Sequence, residues 1–458
     1  PGTLWHHWLS GTLLFTDLAG FTTLVEASAR QGETAAEQLL SLVNDYFSRM
    51  IEVISKSGGN LLEFTGDAML VQFPEDSKGL GLTRAIHTGL RMQRAMQTFS
   101  PPDTYQQWPA LKMRVGIHTG QFVAANVGTP LRMEHILLGR DVQLAKLAEG
   151  NGAVDRVCLT DQVAQQIRDR FTVEPWQPGY QLLVDTLADD QLGEYDLAPA
   201  RRRSASPILF DRSPAGILME IEAAVKLIEP LACYLPRPVL RLLVNHTAQR
   251  HIPPRLVPAV VMFVNLRGLP EAIDERGTTD ASLVVQQVAA GFALMNAAVE
   301  SRGGVLQKVT YYAVGSNVLV HFGVLNTDTH LADRAVEAAI AVRDIMAKME
   351  PPAPDVMLPP LICRISITAG FVFAAEIGEP RGRREFNILG DPVNTAARMV
   401  NQAGEHEILS DASIREQLTL DVSLRSLGKL TLKGKAEPTE MFKVESRALR
   451  NPRLNRRL

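Results

Sequence analysis

The sequence predicts an α+β protein in which one βαββαβ unit occurs twice, and two observations carry that expectation. The first is an internal repeat. Met113-Arg114-Val115-Gly116-Ile117-His118-Thr119-Gly120 returns as Cys363-Arg364-Ile365-Ser366-Ile367-Thr368-Ala369-Gly370, Leu138-Gly139-Arg140-Asp141-Val142 as Leu389-Gly390-Asp391-Pro392-Val393, and Gly58-Gly59-Asn60-Leu61-Leu62 as Gly303-Gly304-Val305-Leu306-Gln307, at offsets of 250, 251 and 245 residues. Three landmarks in one order define a duplicated domain, and a 458-residue chain is too long for a single hydrophobic core. The second observation is that short apolar runs alternate with stretches of helical spacing inside each copy.

Within the first copy the elements follow in order. Thr12 to Thr16 is an apolar strand broken at Asp17-Leu18-Ala19-Gly20, and Ala35 to Ser55 places Leu39, Leu40, Val43, Phe47 and Ile51 on one helix face. Gly58-Gly59 ends that helix. Leu61 to Phe64 and Met69 to Phe73 form a hairpin turning near Gly66-Asp67. A second helix, about Leu80 to Thr98, leads through a Pro-rich loop to the strand Met113 to Ile117, a further strand ending near Val127, and a helix from about Asp141 to Ala148. The βαββαβ order implies an antiparallel sheet with helices on one face, so Asp17 at a strand end and Asp67 at a neighbouring turn can lie side by side.

These elements divide the chain into a first domain at 1–199, a connector at 200–255, a second domain at 256–446 and a basic tail at 447–458. The connector opens with Arg201-Arg202-Arg203, read as a solvated turn, and the helical spacing within Ile217 to Ile228 suggests a packed segment. Apolar residues at 46% and charged residues at 21% suit a soluble globular protein, and a net charge of −3 gives no footprint for nucleic acid. Cys158, Cys233 and Cys363 lie far apart without metal-type spacing, which favours a reducing, cytoplasmic setting. The longest apolar stretch, Leu256 to Leu266, is interrupted by Pro258 and is about half the ~20 residues a membrane span needs, so it reads as a buried strand. A start at Pro1 reads as a segment of a longer multidomain protein.

Laid over one another, the copies differ where chemistry is expected. Asp17 meets Asn265 and Asp67 meets Ser316, so one copy keeps two carboxylates that the other has exchanged for neutral groups. Two carboxylates a few ångströms apart, one followed by a Gly-containing turn opening a helix, are what a two-Mg²⁺ phosphoryl site needs. Backbone N–H groups from Leu18 through Ala19, Gly20 and Phe21 to Thr22 would meet phosphate oxygens at the helix start. A lone Asp at a strand end is more often a cap or turn former. Two of them, both erased in the sister copy, favour function.

Phe15-Thr16-Asp17-Leu18-Ala19-Gly20-Phe21-Thr22, Phe64-Thr65-Gly66-Asp67-Ala68, the Met113 to Gly120 strand and Gly390-Asp391-Pro392-Val393-Asn394-Thr395-Ala396-Ala397-Arg398 together resemble the class III nucleotidyl cyclase catalytic domain. The likeness covers nearly the whole chain outside the connector. The tandem arrangement is most similar to soluble, bicarbonate-responsive adenylyl cyclases and their bacterial relatives. The resemblance implies that the two domains pair head to tail as an intramolecular pseudo-two-fold dimer, with metal acids from one side and base and transition-state groups from the other. It implies an adenylyl cyclase that forms 3′,5′-cyclic AMP and pyrophosphate from ATP with two Mg²⁺ or Mn²⁺ ions, Ca²⁺ being possible at one position.

Carried over residue by residue, Asp17 and Asp67 hold the metals, with Leu18 in the metal set, while Lys308 contacts adenine and Asn387 stands at the other base-reading position. Asn394 orients the ribose with Val393 beside it, Arg398 stabilises charge on the α-phosphoryl group, and Arg114 and Lys433 hold polyphosphate. Asn394 and Arg398 share a helix face whose counterpart in copy one reads as Val142 and Lys146. His118 reads as a packed or turn histidine. Two-fold pairing also leaves a degenerate second site, where Glu63 and Lys146 stand at positions that bind bicarbonate in mammalian-type relatives, and an internal ion pair between them would disfavour an anion. Two alternatives remain. Asn387 can also be imagined reading guanine, which would make a guanylyl cyclase, and a catalytically silent nucleotide-sensing or scaffold module would keep the fold without turnover.

Overall fold

In the computed structural model the described residues are 4–21, 24–25, 28, 33–76, 79–99, 111–195, 213–246, 252–269, 271–311, 314–325, 329–350, 358–379, 383–432 and 438–447. Arg201-Arg202-Arg203, Thr22, Lys433 and the tail beyond Arg447 lie outside them.

The first domain is built on β1 (Trp5–Ala19), β2 (Asn60–Thr65), β3 (Ala68–Pro74), β4 (Lys112–Thr129), β5 (Arg132–Leu138), β6 (Val157–Thr160), β7 (Val173–Gln177) and β8 (Tyr180–Leu183). They form one sheet in the order β2-β3-β1-β4-β6-β8-β7, with β5 folded back on β4. The β2-β3-β1-β4 core is antiparallel, as expected, and the sheet then continues through a parallel β4–β6 pair. Helices α1 (Glu33–Lys56) and α2 (Gly81–Gln97) cover one face, where Leu39, Val43, Phe47 and Ile51 of α1 are buried. Helix α3 (Arg140–Asn151) packs on β4 and β1, followed by the short α4 (Asp161–Ile167). The expected strand near Val127 is the distal half of one long β4, and β5 was not anticipated. Residues 132–138 alternate only weakly because both faces of this hairpin are covered, one of them by the other domain.

The second domain repeats this plan with β9 (Arg255–Gly268), β10 (Val305–Tyr311), β11 (Ser316–Phe322), β12 (Leu361–Gly378), β13 (Arg384–Leu389), β14 (Ile408–Asp411), β15 (Val422–Leu430) and β16 (Thr439–Arg447), in the order β10-β11-β9-β12-β14-β16-β15 with β13 on β12. Its helices are α7 (Ile273–Glu300), α8 (Leu331–Ala347), α9 (Asp391–Met399) and α10 (Ala412–Gln417). The predicted buried strand at 256–266 is β9. One helical stretch, Ala281–Glu300 in α7, is long and apolar enough to cross a membrane, and most of it is buried in this domain's core.

The two hairpins that fold back, β4–β5 and β12–β13, lock the domains together. Phe373, Ala375, Ile377 and Leu389 join the core under α1, while Val123, Ala125, Val127, Ile136 and Leu138 join the core under α7. The exchange is reciprocal, which is the pseudo-two-fold pairing the resemblance implied.

Between the domains run α5 (Pro214–Ala232) and α6 (Arg237–Asn245). Helix α5 begins as the sequence suggests, with Ser213 Oγ accepting from Gly216 N at 3.1 Å and Pro214 in the first turn. It is not packed as expected: Ile217, Leu218, Met219, Ile221, Val225, Ile228 and Leu231 are exposed. Among the described residues the connector docks beyond it, where Cys233 O accepts from Met133 N at 2.7 Å and Val239 of α6 is buried.

Candidate active site between the two domains

Strand alternation sends Leu14 and Leu18 into the helix-covered core and Leu13 and Phe15 to the opposite face, where Asp17 follows them near the end of β1. Thr16 stands opposite Met69 in the β1–β3 ladder, so Asp17 and the turn residue Asp67 lie on adjacent strands. Gly66 makes that turn at φ +70, a backbone state that disfavours other residues. Across the sheet, Asp17 stands opposite Arg114, with Asp17 Oδ2 3.8 Å from Arg114 Nη2.

A further carboxylate, Glu149 of α3, joins them. Arg114 Nη1 is 4.0 Å from it, and Lys146 Nζ is 2.7 Å from its other oxygen while lying 5.6 Å from the centre of the Phe15 ring. Burial pushes the Asp17 carboxyl up to about 6, Glu149 adds to the rise, and Lys146 and Arg114 oppose it. Burial and then the charge of Asp17 hold the Asp67 carboxyl well above its usual range. Two adjacent acids whose ionisation is held back in this way fit a cation that would relieve both. Among the described residues no cluster of three or more metal-type side chains occurs, so a cation here would complete its shell with the Leu18 backbone, water or phosphate oxygens, a habit of Mg²⁺.

Beyond the acids, Gly20 turns at φ +85 and Leu24 N donates to Gly20 O at 3.2 Å, opening a helical turn as predicted. Phe21 is buried in the core rather than turned to the cleft.

The second domain brings its own groups, of which Lys308 reaches β2 of the first. Lys308 on β10 is buried, and its ammonium donates to Phe64 O of the first domain and to Glu385 Oε2 at 3.2 Å. Glu385 also takes Arg383 Nη2 at 2.7 Å and Phe64 N at 3.4 Å. Burial would raise its carboxyl, but Lys308 and Arg383 hold it below the usual range. Asn387 stands opposite Ala375 in the β12–β13 hairpin, on the face that enters the first domain's core. It is 1% exposed, and neither side-chain polar atom has a partner. A buried amide left unpaired costs about 1–3 kcal/mol, and the matching position of the first domain, opposite Ala125, is the apolar Ile136. Asn394 and Arg398 lie one turn apart and half-buried on α9, which Gly390 begins at φ +142, beside the buried or partly buried Val393 and Ala397.

The register fixes which residues correspond. Arg114 and Arg364 stand opposite Asp17 and Asn265, so that exchange is as the sequence indicated, and the β11 pairing puts Ser316 in the place of Asp67. The correspondence for α9 is corrected. Gly139 and Gly390 both cap their helices, and Ala145 and Ala396 are both fully buried, so Asn394 and Arg398 match Gln143 and Leu147 rather than Val142 and Lys146. Lys146 therefore faces the acids and Glu149, not Glu63, and the expected Glu63–Lys146 pair is replaced by Lys146–Glu149.

In the second site, Asn265 Nδ2 donates to Asn317 Oδ1 at 2.7 Å and to Val314 O at 3.0 Å. Ser316, Gln143 and Gly139 line one small cavity there. By the pseudo-two-fold relation these three positions correspond to Asp67, Asn394 and Gly390. His118 is packed as predicted, with Nδ1 2.8 Å from Thr160 Oγ1 and Nε2 3.1 Å from Asp141 Oδ1. Sequence reasoning missed Glu149, Glu385 and Tyr311. Only Tyr311 carried a signal, since the 245-residue offset sets it against Gly66.

A duplicated mixed sheet, reciprocal hairpins, an acid pair in one domain and a buried amide and lysine in the other define a two-domain nucleotide cyclase architecture. The chain belongs to the adenylate and guanylate cyclase catalytic domain family, which matches residues 9–179 and again 255–446. Human adenylate cyclase type 10 is 22% identical over 86% of this chain, and the rat protein of that name 23% over 85%. The chain spans 24% of the length of each. Among solved structures, a class III adenylyl cyclase-like ATP-binding protein from Pseudomonas aeruginosa has a TM-score of 0.60 at 15% identity, covering 90% of this chain and 85% of that one, so the fold is shared across both halves.

Proposed function

We propose that the chain is an adenylyl cyclase acting in the cytoplasm, with domains at 1–199 and 256–446 joined by 200–255, and with one working site between them. The observation that supports this best is the complementary division of groups: the Asp17–Asp67 pair in the first domain, with Asn265 and Ser316 at the matching positions of the second, and a buried unpartnered amide with a buried lysine in the second. Bound at Asp17 and Asp67, two divalent cations would lower the pKa of the ribose 3′-hydroxyl and neutralise the triphosphate. Lys308 and Asn387 bind the base edge, with Lys308 exchanging its contacts to Phe64 O and Glu385 for the ligand. Asn394 and Val393 set the ribose, Ala19, Gly20, Phe21 and Thr22 present backbone N–H groups to phosphate, and Arg114 and Lys433 hold polyphosphate. As the 3′-oxygen bonds to the α-phosphorus and the bond to pyrophosphate breaks, Arg398 stabilises the charge on the α-phosphoryl oxygens. The 3′-hydroxyl proton passes to water or phosphate.

A second reading, nucleotide binding without turnover, draws support from the internal pairing of Lys308 with Glu385. Purified protein with Mg²⁺ or Mn²⁺ and either ATP or GTP separates the readings. Cyclic AMP from ATP with little cyclic GMP is expected. Equal use of GTP would make it a guanylyl cyclase, and binding with no cyclic product would leave the silent module.

A further inference from the structure

We infer that Tyr311 is a built-in occupant of the second interdomain pocket and, by anchoring β10, a positioning residue for Lys308 in the working site. The positioning half rests on the nucleotide reading proposed above, whereas the occupancy half does not.

The pseudo-two-fold relation sets Tyr311 against Gly66. Thr65 pairs with Ala68 at the end of the first hairpin and Thr310 with Asn317 at the end of the second, so the next residue in each strand is Gly66 in one and Tyr311 in the other. At Gly66 a Cβ would meet nothing within 4 Å. At Tyr311 the equivalent space on the other side of the axis is filled by a phenol that is 6% exposed. Its ring enters the first domain among Leu13, Phe15, Leu70, Phe122, Leu137 and Val142, with an edge-on contact to Phe15 at 6.2 Å between ring centres. Its hydroxyl accepts from Leu137 N at 2.9 Å.

Beside Ser316 and Gln143, where the metal acids and nucleotide phosphates would stand in the other half, only a cavity of about 10 Å³ remains, room for one water at most, while Tyr311 also borders a cavity of about 510 Å³ lined by Glu63, Lys308 and Glu385. The two residues that replace the metal acids are engaged elsewhere or neutral, with Asn265 tied to Asn317 and Val314. A nucleotide's phosphates have no space between Ser316, Gln143 and Tyr311. Tyr311 instead supplies the contact across the axis that a ligand would otherwise make.

Lys308 lies three residues before Tyr311 on the same strand and reaches across to Phe64 O. Fixing the end of β10 to Leu137 of the first domain therefore sets how far Lys308 projects towards the base. Removing the ring frees the strand end, which affects ligand binding more than the chemical step.

The test compares wild type, Tyr311→Gly and Tyr311→Phe, using 4-methylphenol as the probe because it is the missing side chain. Tyr311→Gly is expected to melt several degrees lower, to regain that stability saturably with 4-methylphenol, and to show a KM for ATP raised about tenfold with little change in kcat, as losing one good contact gives. Wild type should not respond to the probe and should bind one ATP analogue per chain. A Tyr311→Gly protein with unchanged melting, or with no binding of the probe, overturns the occupancy. An unchanged KM alongside restored melting overturns the positioning role alone. If Tyr311→Gly does not fold even with the probe, Tyr311→Phe decides: it keeps the ring and strands Leu137 N, so lower melting with a raised KM is expected, and wild-type values for both refute the inference. Melting and probe binding need no turnover, so a chain without cyclase activity would sink the functional reading while still reporting on Tyr311.

Discussion

Lys146 and Glu149 lie one turn apart on the helix after the β4–β5 hairpin, 2.7 Å between Nζ and Oε2, with Asp17 and Asp67 beside them. Arg114, 3.8 Å away, is the nearest positive charge to Asp17, while the Lys146 ammonium is the nearest to Glu149. Burial alone would lower its pKa, yet Glu149 and Asp17 raise it, so it stays charged. Replacing Lys146 by Met should leave Glu149 without its closest cation and destabilise the metal-free protein by about 3–5 kcal/mol. The same variant should gain more melting temperature from Mn²⁺ than wild type gains. Differential scanning with and without Mn²⁺ measures both, and an equal Mn²⁺ shift in the two proteins would show that Lys146 does not balance these acids.

Asp17 offers a pH prediction with a definite sign. Its carboxyl is raised from 3.8 to about 6, so the folded state binds the proton more tightly than the unfolded chain. Its contribution is most favourable below the unfolded value, is lost as pH rises through the folded value, and above that costs roughly 3 kcal/mol in the metal-free protein. Asp17→Asn should raise metal-free stability at pH 7.5 and flatten its decline between pH 4 and 6. It should also abolish metal-dependent cyclisation, as should Asp67→Ala. Near-normal turnover in either variant contradicts the metal assignment.

Asn387 should trade stability against binding. Asn387→Ile installs the residue of the other half and removes two unpaired buried polar atoms, so the fold should gain about 1–3 kcal/mol. ATP binding should weaken at least tenfold. Titration calorimetry and thermal melts on one preparation check the pair of effects. Unaltered ATP affinity would remove Asn387 from the base site.

Base choice tests Lys308. Wild type is expected to prefer ATP over GTP, and Lys308→Glu to weaken that preference in the ratio of kcat/KM values. The substitution also sets like charge against Glu385, so the ratio, rather than either rate, is the informative quantity.

Bicarbonate is expected to stimulate weakly or not at all, because Tyr311 closes the space beside Ser316 and Gln143 and the carboxylates of Glu63 and Glu385 line the larger cavity next to it. A titration at fixed pH and ionic strength, with saturable activation as the contrary outcome, checks this.

The duplication, the βαββαβ order, the Gly66 turn and the loss of Asp17 and Asp67 equivalents were legible in the sequence, because strand and helix periodicity and turn chemistry are local properties. The sequence could not tell that α5 leaves its apolar face exposed, since helical spacing describes a stripe and not what covers it. Nor could it tell which acid Lys146 meets. One residue of slip in matching α9 to α3 turns a side chain by 100° and exchanges one site for the other. The isolation of Asn387 and the insertion of Tyr311 depend on contacts between residues more than 170 positions apart, made only when the two hairpins cross the domain boundary. Composition and spacing thus determined which groups were available, and the packing of one domain against the other decided which of them share a site.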